Sequence, residues 1–150
     1  MNEEVKYISY EEAISVYAKM IDASDGGFDG VRDEGGIRAA LEFVQNDMYY
    51  PNFSDKLCSL VYKFCSGHYF NDGNKRIALT LGAYFLYKNS YFWQATIFMR
   101  QMESIVYHVA ASNIDQDLLH RIMTCFMNGE DYDEELKIDI ANACLLYTSP

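Results

Sequence analysis

The sequence is short of positive charge. Its 12 Lys and Arg residues stand against 22 Asp and Glu residues, which leaves a formal net charge of -10. Such a chain repels a polyanionic backbone, so broad nucleic-acid binding is excluded and we expect no direct nucleic-acid partner. A phosphate-bearing ligand would need a local attraction, such as a helix N-terminus, a cluster of Lys and Arg, or a bound cation.

The sequence also lacks long apolar runs and a disulfide framework. No segment reaches the roughly 18 apolar residues of a membrane span, and the start Met1–Glu4 has neither the charge nor the apolar stretch of a signal peptide. The four cysteines form no Cys-x-x-Cys pair, which favours reduced thiols. We therefore expect a cytoplasmic protein without a membrane partner, in which Cys58 and Cys65 are buried on one helix face.

Helical periodicity dominates what is present. Half of the 150 residues are hydrophobic, which suffices for one domain with its own core. Apolar residues recur at three- and four-residue spacings, so we predict an all-α fold, a compact single-domain bundle of about six helices. The segment 74–89 is apolar almost all round, which is typical of a central buried helix. The predicted helices are 10–23, 34–46, 54–66, 74–89, 97–111 and 116–127, with a short further helix over 136–143.

Several residue types mark the ends of these helices. Ser9 and Glu12 are spaced as a capping box for the first helix, and Asp33 is the expected N-cap of the second. The polar and glycine-rich segment Ser24–Gly27 is a stop signal. Gly67 stands where a left-handed C-terminal cap is expected for the third helix.

The last seven residues, 144–150, resemble one reading frame of a sequencing-library adaptor. We interpret residues 1–143 as the domain and 144–150 as a non-native tail, produced by an open reading frame that runs off a DNA fragment. The alternative is an ordinary short tail. Sequencing the gene across the codon for Ala143 distinguishes the two.

The nine residues from His68 to Arg76 carry the candidate chemistry. They form a loop that leads into a helix N-terminus, where unpaired N–H groups and the helix dipole favour phosphate oxygens. Gly73 lets the backbone approach a ligand closely. Lys75 and Arg76 place two cations where they oppose the helix dipole, and a bound anion would offset that cost.

Two other side chains of the loop complete a transfer site. Asp72 can hold Mg²⁺ together with substrate phosphates, the usual protein mode of this ion. Histidine is the side-chain type that can accept a proton from an attacking hydroxyl near neutral pH, and His68 is the histidine of the loop, so it is the candidate general base. The implied reaction is in-line transfer of part of a nucleoside triphosphate to a hydroxyl. Phe70 is expected to anchor the loop in the core.

This arrangement resembles the Fic motif, His-Pro-Phe-x-Asp/Glu-Gly-Asn-Gly/Lys-Arg. The chain matches the motif's specification at every fixed position except the second. The flanking segments Gly30–Asp33 and Tyr50-Pro51, with the Ala-Leu after Arg76, are similar to the death-on-curing branch of the Fic/Doc (Fido) superfamily over about residues 7–127. The matching motif residues are His68, Phe70, Asp72, Gly73, Asn74, Lys75 and Arg76.

The resemblance implies roles for these residues. His68 would be the catalytic base, Asp72 the magnesium ligand, and Gly73, Asn74, Lys75 and Arg76 the group around the phosphates of ATP as co-substrate. It also implies an all-helical bundle that modifies a Ser, Thr or Tyr hydroxyl of a target protein, with a translation factor as one candidate. Members of the branch are toxins neutralised by a cognate antitoxin.

Departures from the motif leave alternatives open. Tyr69 replaces the frequent proline and removes a fixed φ from the loop. Lys75 resembles the kinase-like branch and favours phosphoryl transfer, whereas Gly73 resembles members that transfer AMP. A third alternative is a catalytically inert Fic-fold module that binds a partner.

Regulation and target binding also give expectations. The inhibitory Ser/Thr-x-x-x-Glu-Gly/Asn segment of many family members is absent from the sequence, so restraint is expected from a partner protein. The Tyr-rich segment Asp47–Phe53 is expected to be extended or turning and is a candidate flap for pairing with the target backbone.

Overall fold

Helices account for most of the chain. The computed structural model describes residues 4–23 and 30–148, and every regular element in those ranges is an α-helix, which confirms the all-α prediction. Within the same ranges, no helix combines the length and the apolar character needed to cross a membrane. The seven helices are α1 (Tyr10–Ala23), α2 (Glu34–Phe43), α3 (Phe53–Ser66), α4 (Asn74–Lys88), α5 (Phe92–Ala110), α6 (Gln116–Asn128) and α7 (Glu134–Thr148).

The first two helices begin at the predicted caps. At α1 the Ser9 hydroxyl accepts a hydrogen bond from the Glu12 N–H at 3.1 Å, and the Glu12 carboxylate accepts one from the Ser9 N–H at 3.0 Å. This is the predicted capping box. At α2 the Asp33 carboxylate accepts a hydrogen bond from the Gly36 N–H at 2.8 Å. The predicted stop at Ser24–Gly27 lies outside the described residues.

Helix α4 lies at the centre of the bundle, as predicted. It packs against α1, α3 and α5, and seven of its 15 residues are buried. Gly82 allows a close approach, because a Cβ there would lie 2.6 Å from the Phe98 ring of α5 and 3.1 Å from Val61 of α3. The N-terminus of a central, largely buried helix therefore directly follows the motif loop.

The two cysteines of α3 are buried, as predicted. Cys58 and Cys65 are 2% and 1% exposed, and both are free thiols. Burial raises the pKa of the Cys58 thiol to about 12 and that of Cys65 to about 11. Neither thiol is a nucleophile at neutral pH, because each is held in its protonated form.

Some helix boundaries differ from the prediction. Helix α5 begins at Phe92 rather than near Ile97, because its N-cap is Tyr91, which makes no side-chain cap and therefore gives no sequence signal. Helix α2 ends at Phe43, three residues early. Helix α7 extends the short predicted helix to Glu134–Thr148 and runs past Ala143. The origin of residues 144–150 stays a prediction.

The prediction of a left-handed cap at Gly67 was wrong. Gly67 has φ -79° and ψ -14°, a right-handed helical conformation. The left-handed residue is the next one, His68, with φ 52°. Glycine occupies position 67 for a different reason: a Cβ there would lie 2.4 Å from the Tyr69 ring and 2.7 Å from the Lys63 carbonyl oxygen.

A partly buried carboxylate ties α1 to α4. The Glu12 carboxylate, 31% exposed, accepts hydrogen bonds from the Tyr84 hydroxyl and the Lys88 ammonium of α4. Burial raises the pKa of Glu12, but the hydrogen bonds from Lys88, Tyr84 and the Ser9 N–H outweigh it and lower the pKa from 4.5 to about 2. Because the folded state favours the charged form, this carboxylate stabilises the fold above the unfolded pKa.

We expect Glu12→Gln to lower the free energy of unfolding by about 1–2 kcal/mol at neutral pH, since partial exposure reduces the electrostatic gain. Chemical denaturation of both proteins measures the difference. The difference should shrink as pH falls from 4.5 to about 2, the pH at which half of wild-type Glu12 is protonated in the folded state as well.

Glu34→Gln is the matched control for this prediction. Glu34 also stands in the first turn of its helix and pairs with Arg38, but both side chains are more than half exposed. Glu34→Gln should lower the free energy of unfolding by no more than about 0.5 kcal/mol. An equal loss in the two variants would contradict the stabilising role of the α1–α4 contact.

Candidate active site

The motif loop is braced by the segment that precedes α2. Asn71 N–H donates to the Gly30 carbonyl at 3.0 Å, and the N–H groups of Arg32 and Asp33 donate to the Tyr69 carbonyl at 2.8 and 3.0 Å. Val31 and Phe70 form an isolated antiparallel bridge between these hydrogen bonds. The flanking segment Gly30–Asp33, which the resemblance singled out, thus fixes the backbone of the loop.

Phe70 anchors the loop in the core, as predicted. It is 1% exposed, and its ring stacks on Tyr17 of α1 with 4.0 Å between ring centroids. The Tyr17 hydroxyl donates to the backbone oxygen of Asp72 at 2.9 Å. Tyr17 of α1 therefore holds both the anchor Phe70 and the backbone carbonyl of Asp72, the candidate metal ligand, a role that no pattern in the sequence indicated.

Asn74 closes the loop from the other side. Its side-chain oxygen accepts a hydrogen bond from the Phe70 N–H at 3.1 Å, and its side-chain nitrogen donates to the Phe70 oxygen at 2.9 Å. Both polar atoms of the amide are thus used within the loop. A contribution of Asn74 to phosphate binding would come from its backbone N–H.

Tyr69, which stands where the motif often has proline, is held by packing. Its ring meets Phe64 edge-on at 5.3 Å, and it fills the space that Cβ atoms at Gly36 and Gly67 would occupy, 2.6 and 2.4 Å from its Cε1. Its carbonyl accepts the two hydrogen bonds from the bracing segment. Packing against two glycines therefore replaces the rigidity that a proline ring would supply.

His68 lies in an unusual backbone conformation at the start of this loop. Its φ of 52° is in the left-handed region, which costs a residue with a Cβ about 1–2 kcal/mol. Its side chain is exposed and lines the same cleft as the rest of the motif. Strain of this kind persists where neighbouring contacts over-determine the backbone, and it is concentrated at functional sites.

The N-terminus of α4 points its free backbone donors into the site. The first hydrogen bond of the helix runs from Ile77 N–H to Gly73 O at 2.8 Å, so the N–H groups of Asn74, Lys75 and Arg76 precede the hydrogen-bonded turn. With the helix dipole, such donors attract phosphate oxygens. Lys75 and Arg76 are both exposed at this end.

Asp72 suits a metal ion that is shared with a substrate. It is exposed, lines the cleft, and accepts the Gly73 N–H through one carboxylate oxygen at 2.8 Å. In the described part of the chain, no group of three or more His, Cys, Asp and Glu residues is placed to hold a metal by itself. Mg²⁺ bound through one carboxylate plus substrate phosphates fits this donor set.

All six predicted site residues line one cleft of about 970 Å³. The motif loop and the start of α4 form one wall, and α5 forms the facing wall. The sequence analysis missed this second wall, because α5 has an ordinary amphipathic pattern with no motif. The α5 residues that line the cleft are Met99, Arg100, Glu103, Val106, Tyr107 and Ala110.

The cleft concentrates cations in an acidic protein. Lys75, Arg76 and Arg100 all line it, and none of the ion pairs found among the described residues involves any of the three. The Lys75 ammonium lies 5.6 Å from the centroid of the Tyr107 ring. Two carboxylates, Asp72 and Glu103, line the same cleft, so its cationic side chains exceed its anionic ones by one. This local excess, with the N-terminus of α4, meets the requirement of a local attraction for phosphate.

The candidate flap, residues 47–53, begins with a turn, one of the two conformations expected for this segment. Asp47, Met48 and Tyr49 form a turn, in which the Asn46 side chain accepts the N–H groups of Met48 and Tyr49 at 2.9 and 3.2 Å. The buried Lys56 fixes its start by donating to Asp47 at 2.7 Å. The segment therefore presents Met48 and Tyr49, 94% and 69% exposed, rather than a free strand edge.

Comparison with known proteins matches the part of the chain that contains the motif loop. The model of the Fic/DOC family matches residues 7–86 of the chain. The chain is also similar to Protein kinase doc of Escherichia phage P1, with 35% identity over 88 residues that cover 57% of this chain and 69% of that protein. The span matched by the family model includes both the motif loop and its bracing segment.

The backbone conformation and packing at position 73 explain why glycine occupies it, and a substitution tests this explanation. Gly73 has φ 80°, and a Cβ there would lie 3.1 Å from Met20 of α1. We expect Gly73→Ala to lower the free energy of unfolding by about 1–2 kcal/mol, because alanine is strained in the left-handed region. Chemical denaturation measures the loss.

Gly35→Ala is the control for that variant. A Cβ at Gly35 meets its nearest neighbour at an ordinary 3.7 Å, and the residue lies inside α2. Alanine there should leave the stability unchanged or raise it by up to about 1 kcal/mol through helix propensity. Full stability of the Gly73→Ala protein would argue against a required left-handed glycine at the N-cap of α4.

Proposed function

The chain belongs to the Fic/DOC family, and we propose that it is a toxin-type, Mg²⁺-dependent transferase that moves a phosphoryl group from ATP to a hydroxyl side chain of a target protein. The observation that carries the proposal is the single cleft that gathers His68, Asp72, Lys75 and Arg76 at the N-terminus of α4. A base, a metal carboxylate and phosphate-binding groups are the parts that this chemistry requires.

Each part of the cleft has a task in the proposed reaction. His68 accepts the proton of the target hydroxyl, whose oxygen bonds to the γ-phosphorus while ADP departs with the bridging oxygen. The backbone N–H groups that begin α4, with Lys75 and Arg76, hold the phosphate oxygens. Asp72 would bind Mg²⁺ jointly with the phosphates, and the ion supplies charge neutralisation when bound.

The structure weakens the reason for favouring AMP transfer. In the sequence, Gly73 favoured AMP transfer and Lys75 favoured phosphoryl transfer. Gly73 now has a structural cause, since its φ of 80° and its contact with Met20 call for glycine whatever the cleft binds. Lys75 is exposed in the cleft with no ion-pair partner among the described residues, and its contact with the Tyr107 ring also lies in the cleft. Neither its backbone nor a contact in the core calls for lysine at this position, so Lys75 favours transfer of the γ-phosphoryl group.

The alternative of an inert binding module is less consistent with the cleft. Phe70 and Asn74 explain how the loop is held together, and both would be needed in an inert protein. His68, Asp72 and Arg76 are exposed in the cleft, and of the three only Asp72 makes a side-chain hydrogen bond within the described loop, to the Gly73 N–H through one of its two carboxylate oxygens. An inert descendant would have no reason to keep a histidine, a carboxylate and an arginine there together.

Family resemblance extends the proposal to two partners. The name of the phage protein, Protein kinase doc, describes an enzyme that phosphorylates protein. We place this chain in the same class, with a target that offers a Ser, Thr or Tyr hydroxyl, a translation factor being one candidate, and with a cognate antitoxin that restrains it. A small gene next to that of the toxin is the expected source of the antitoxin.

The donor phosphate is identified by labelling. The protein is incubated with cell lysate, Mg²⁺ and ATP labelled at either the α- or the γ-phosphate. We expect a lysate protein to take up label from γ alone, and His68→Ala to reduce the rate by about 10²- to 10⁴-fold, as for loss of a general base. His120→Gln is the control, because His120 lies on α6 and contacts Asp55 outside the cleft.

Each other outcome contradicts a stated part of the proposal. Label from the α-phosphate would mean transfer of AMP. Equal labelling by wild type and His68→Ala would remove His68 from the mechanism. An absence of label from either position would favour the inert module.

Metal dependence gives a separate prediction. Asp72→Asn keeps the shape of the side chain and an oxygen that can accept the Gly73 N–H, but it removes the negative charge. We expect this variant to need at least about tenfold more Mg²⁺ for half-maximal labelling, since the carboxylate is the protein's charged ligand for the ion. An unchanged Mg²⁺ dependence would argue against Asp72 as the ligand.

A further inference from the structure

Tyr107 lies on the wall of the cleft that α5 forms. It belongs to α5, is 52% exposed, and lines the cleft together with His68 and Arg76. The Lys75 ammonium lies over its ring, 5.6 Å from the centroid. The aromatic face and the cation attract each other, which keeps the tyrosine beside the phosphate-binding end of α4.

Tyr107 also provides a hydroxyl group in the lining of the cleft. Of the described residues that line the cleft, it alone carries a hydroxyl group. The nearby hydroxyls of Tyr17 and Thr80 are outside this lining, and they donate to the backbone oxygens of Asp72 and Arg76 at 2.9 and 2.8 Å. An exposed phenol beside a phosphoryl-transfer site is in the position of an acceptor, since reactivity follows proximity.

We infer that Tyr107 is a site of self-phosphorylation, modified within one molecule from bound ATP. This inference rests on the proposed phosphoryl transfer. The phenol oxygen of Tyr107 bonds to the γ-phosphorus, the bond from that phosphorus to the β–γ bridging oxygen breaks, and ADP leaves. The phenolic proton passes to His68, as the proton of a target hydroxyl does.

Phosphorylation of Tyr107 would inhibit the enzyme by weakening the binding of the next nucleotide. A phosphoryl group on Tyr107 brings a charge of about -1.5 to -2 and three acceptor oxygens next to Lys75. These oxygens compete with the phosphates of the next nucleotide for the same cation and repel them. The chain lacks the inhibitory Ser/Thr-x-x-x-Glu-Gly/Asn segment of its family, so this route would provide restraint from within the cleft.

The full chain is incubated with Mg²⁺ and γ-labelled ATP in the absence of any target, and the labelled residue is located by peptide mass spectrometry. We expect phosphotyrosine at Tyr107, formed at a rate that does not change with protein concentration. Tyr107→Phe retains the ring beside Lys75 but should carry no label, and His68→Ala should carry none. Phosphorylated protein should bind ADP about tenfold more weakly in calorimetry, because a charged contact is lost.

Tyr87→Phe is the matched control, since Tyr87 is similarly exposed at 62% but lies near the end of α4, outside the cleft lining. It should be labelled like wild type. Label on another residue, a rate that rises with protein concentration, or unchanged ADP binding after modification would each overturn the inference. Labelling of a lysate protein with Tyr107 unmodified would overturn it and leave the proposed function standing. If neither Tyr107 nor a lysate protein takes up label, both this inference and the proposed phosphoryl transfer are contradicted.

Discussion

The burial of Phe70 is the constraint on which the site depends. Its ring is 1% exposed and stacks on Tyr17, and its two backbone polar groups pair with the Asn74 side chain. Removing such a side chain from water is worth about 1.5–3 kcal/mol. This fixes the loop at one point, so His68 and Asp72 on either side line the cleft while the Phe70 side chain between them is held in the core.

Electrostatics then gives the fixed loop its selectivity. The chain carries a formal net charge of -10, so an anion is attracted only where local positive charge exceeds the surrounding field. The α4 N-terminus, Lys75 and Arg76 provide that charge from one wall, and Arg100 adds to it from α5. A narrow region of attraction in a repellent surface suits a small phosphate ligand better than a polyanion.

The sequence predicted most of the fold and of one cleft wall, because those features have local causes. Spacing of apolar residues gave the helices, and Ser9, Glu12 and Asp33 marked helix starts through hydrogen bonds within three residues. The α5 wall, the Tyr17 contact and the bracing by Gly30–Asp33 depend on which distant segments meet, and no local pattern encodes that. Gly67 was misassigned because the sequence cannot tell a glycine needed for its φ from one needed to make room for a ring.

The residues of the motif therefore form two sets: those that hold the loop in the fold and those that face the cleft. Phe70, Gly73 and Asn74 are accounted for by contacts within the fold, so a change at one of them reports on how the loop is held. Lys75 and Arg76 face the cleft without an ion pair among the described residues, and Lys75 lies over the ring of Tyr107, which lines the same cleft. A change at either residue therefore reports on what the cleft binds. Tyr69 illustrates the first set, since packing between two glycines supplies the restraint that proline supplies elsewhere. Inference about the transferred group should consequently rest on Lys75 rather than on Gly73.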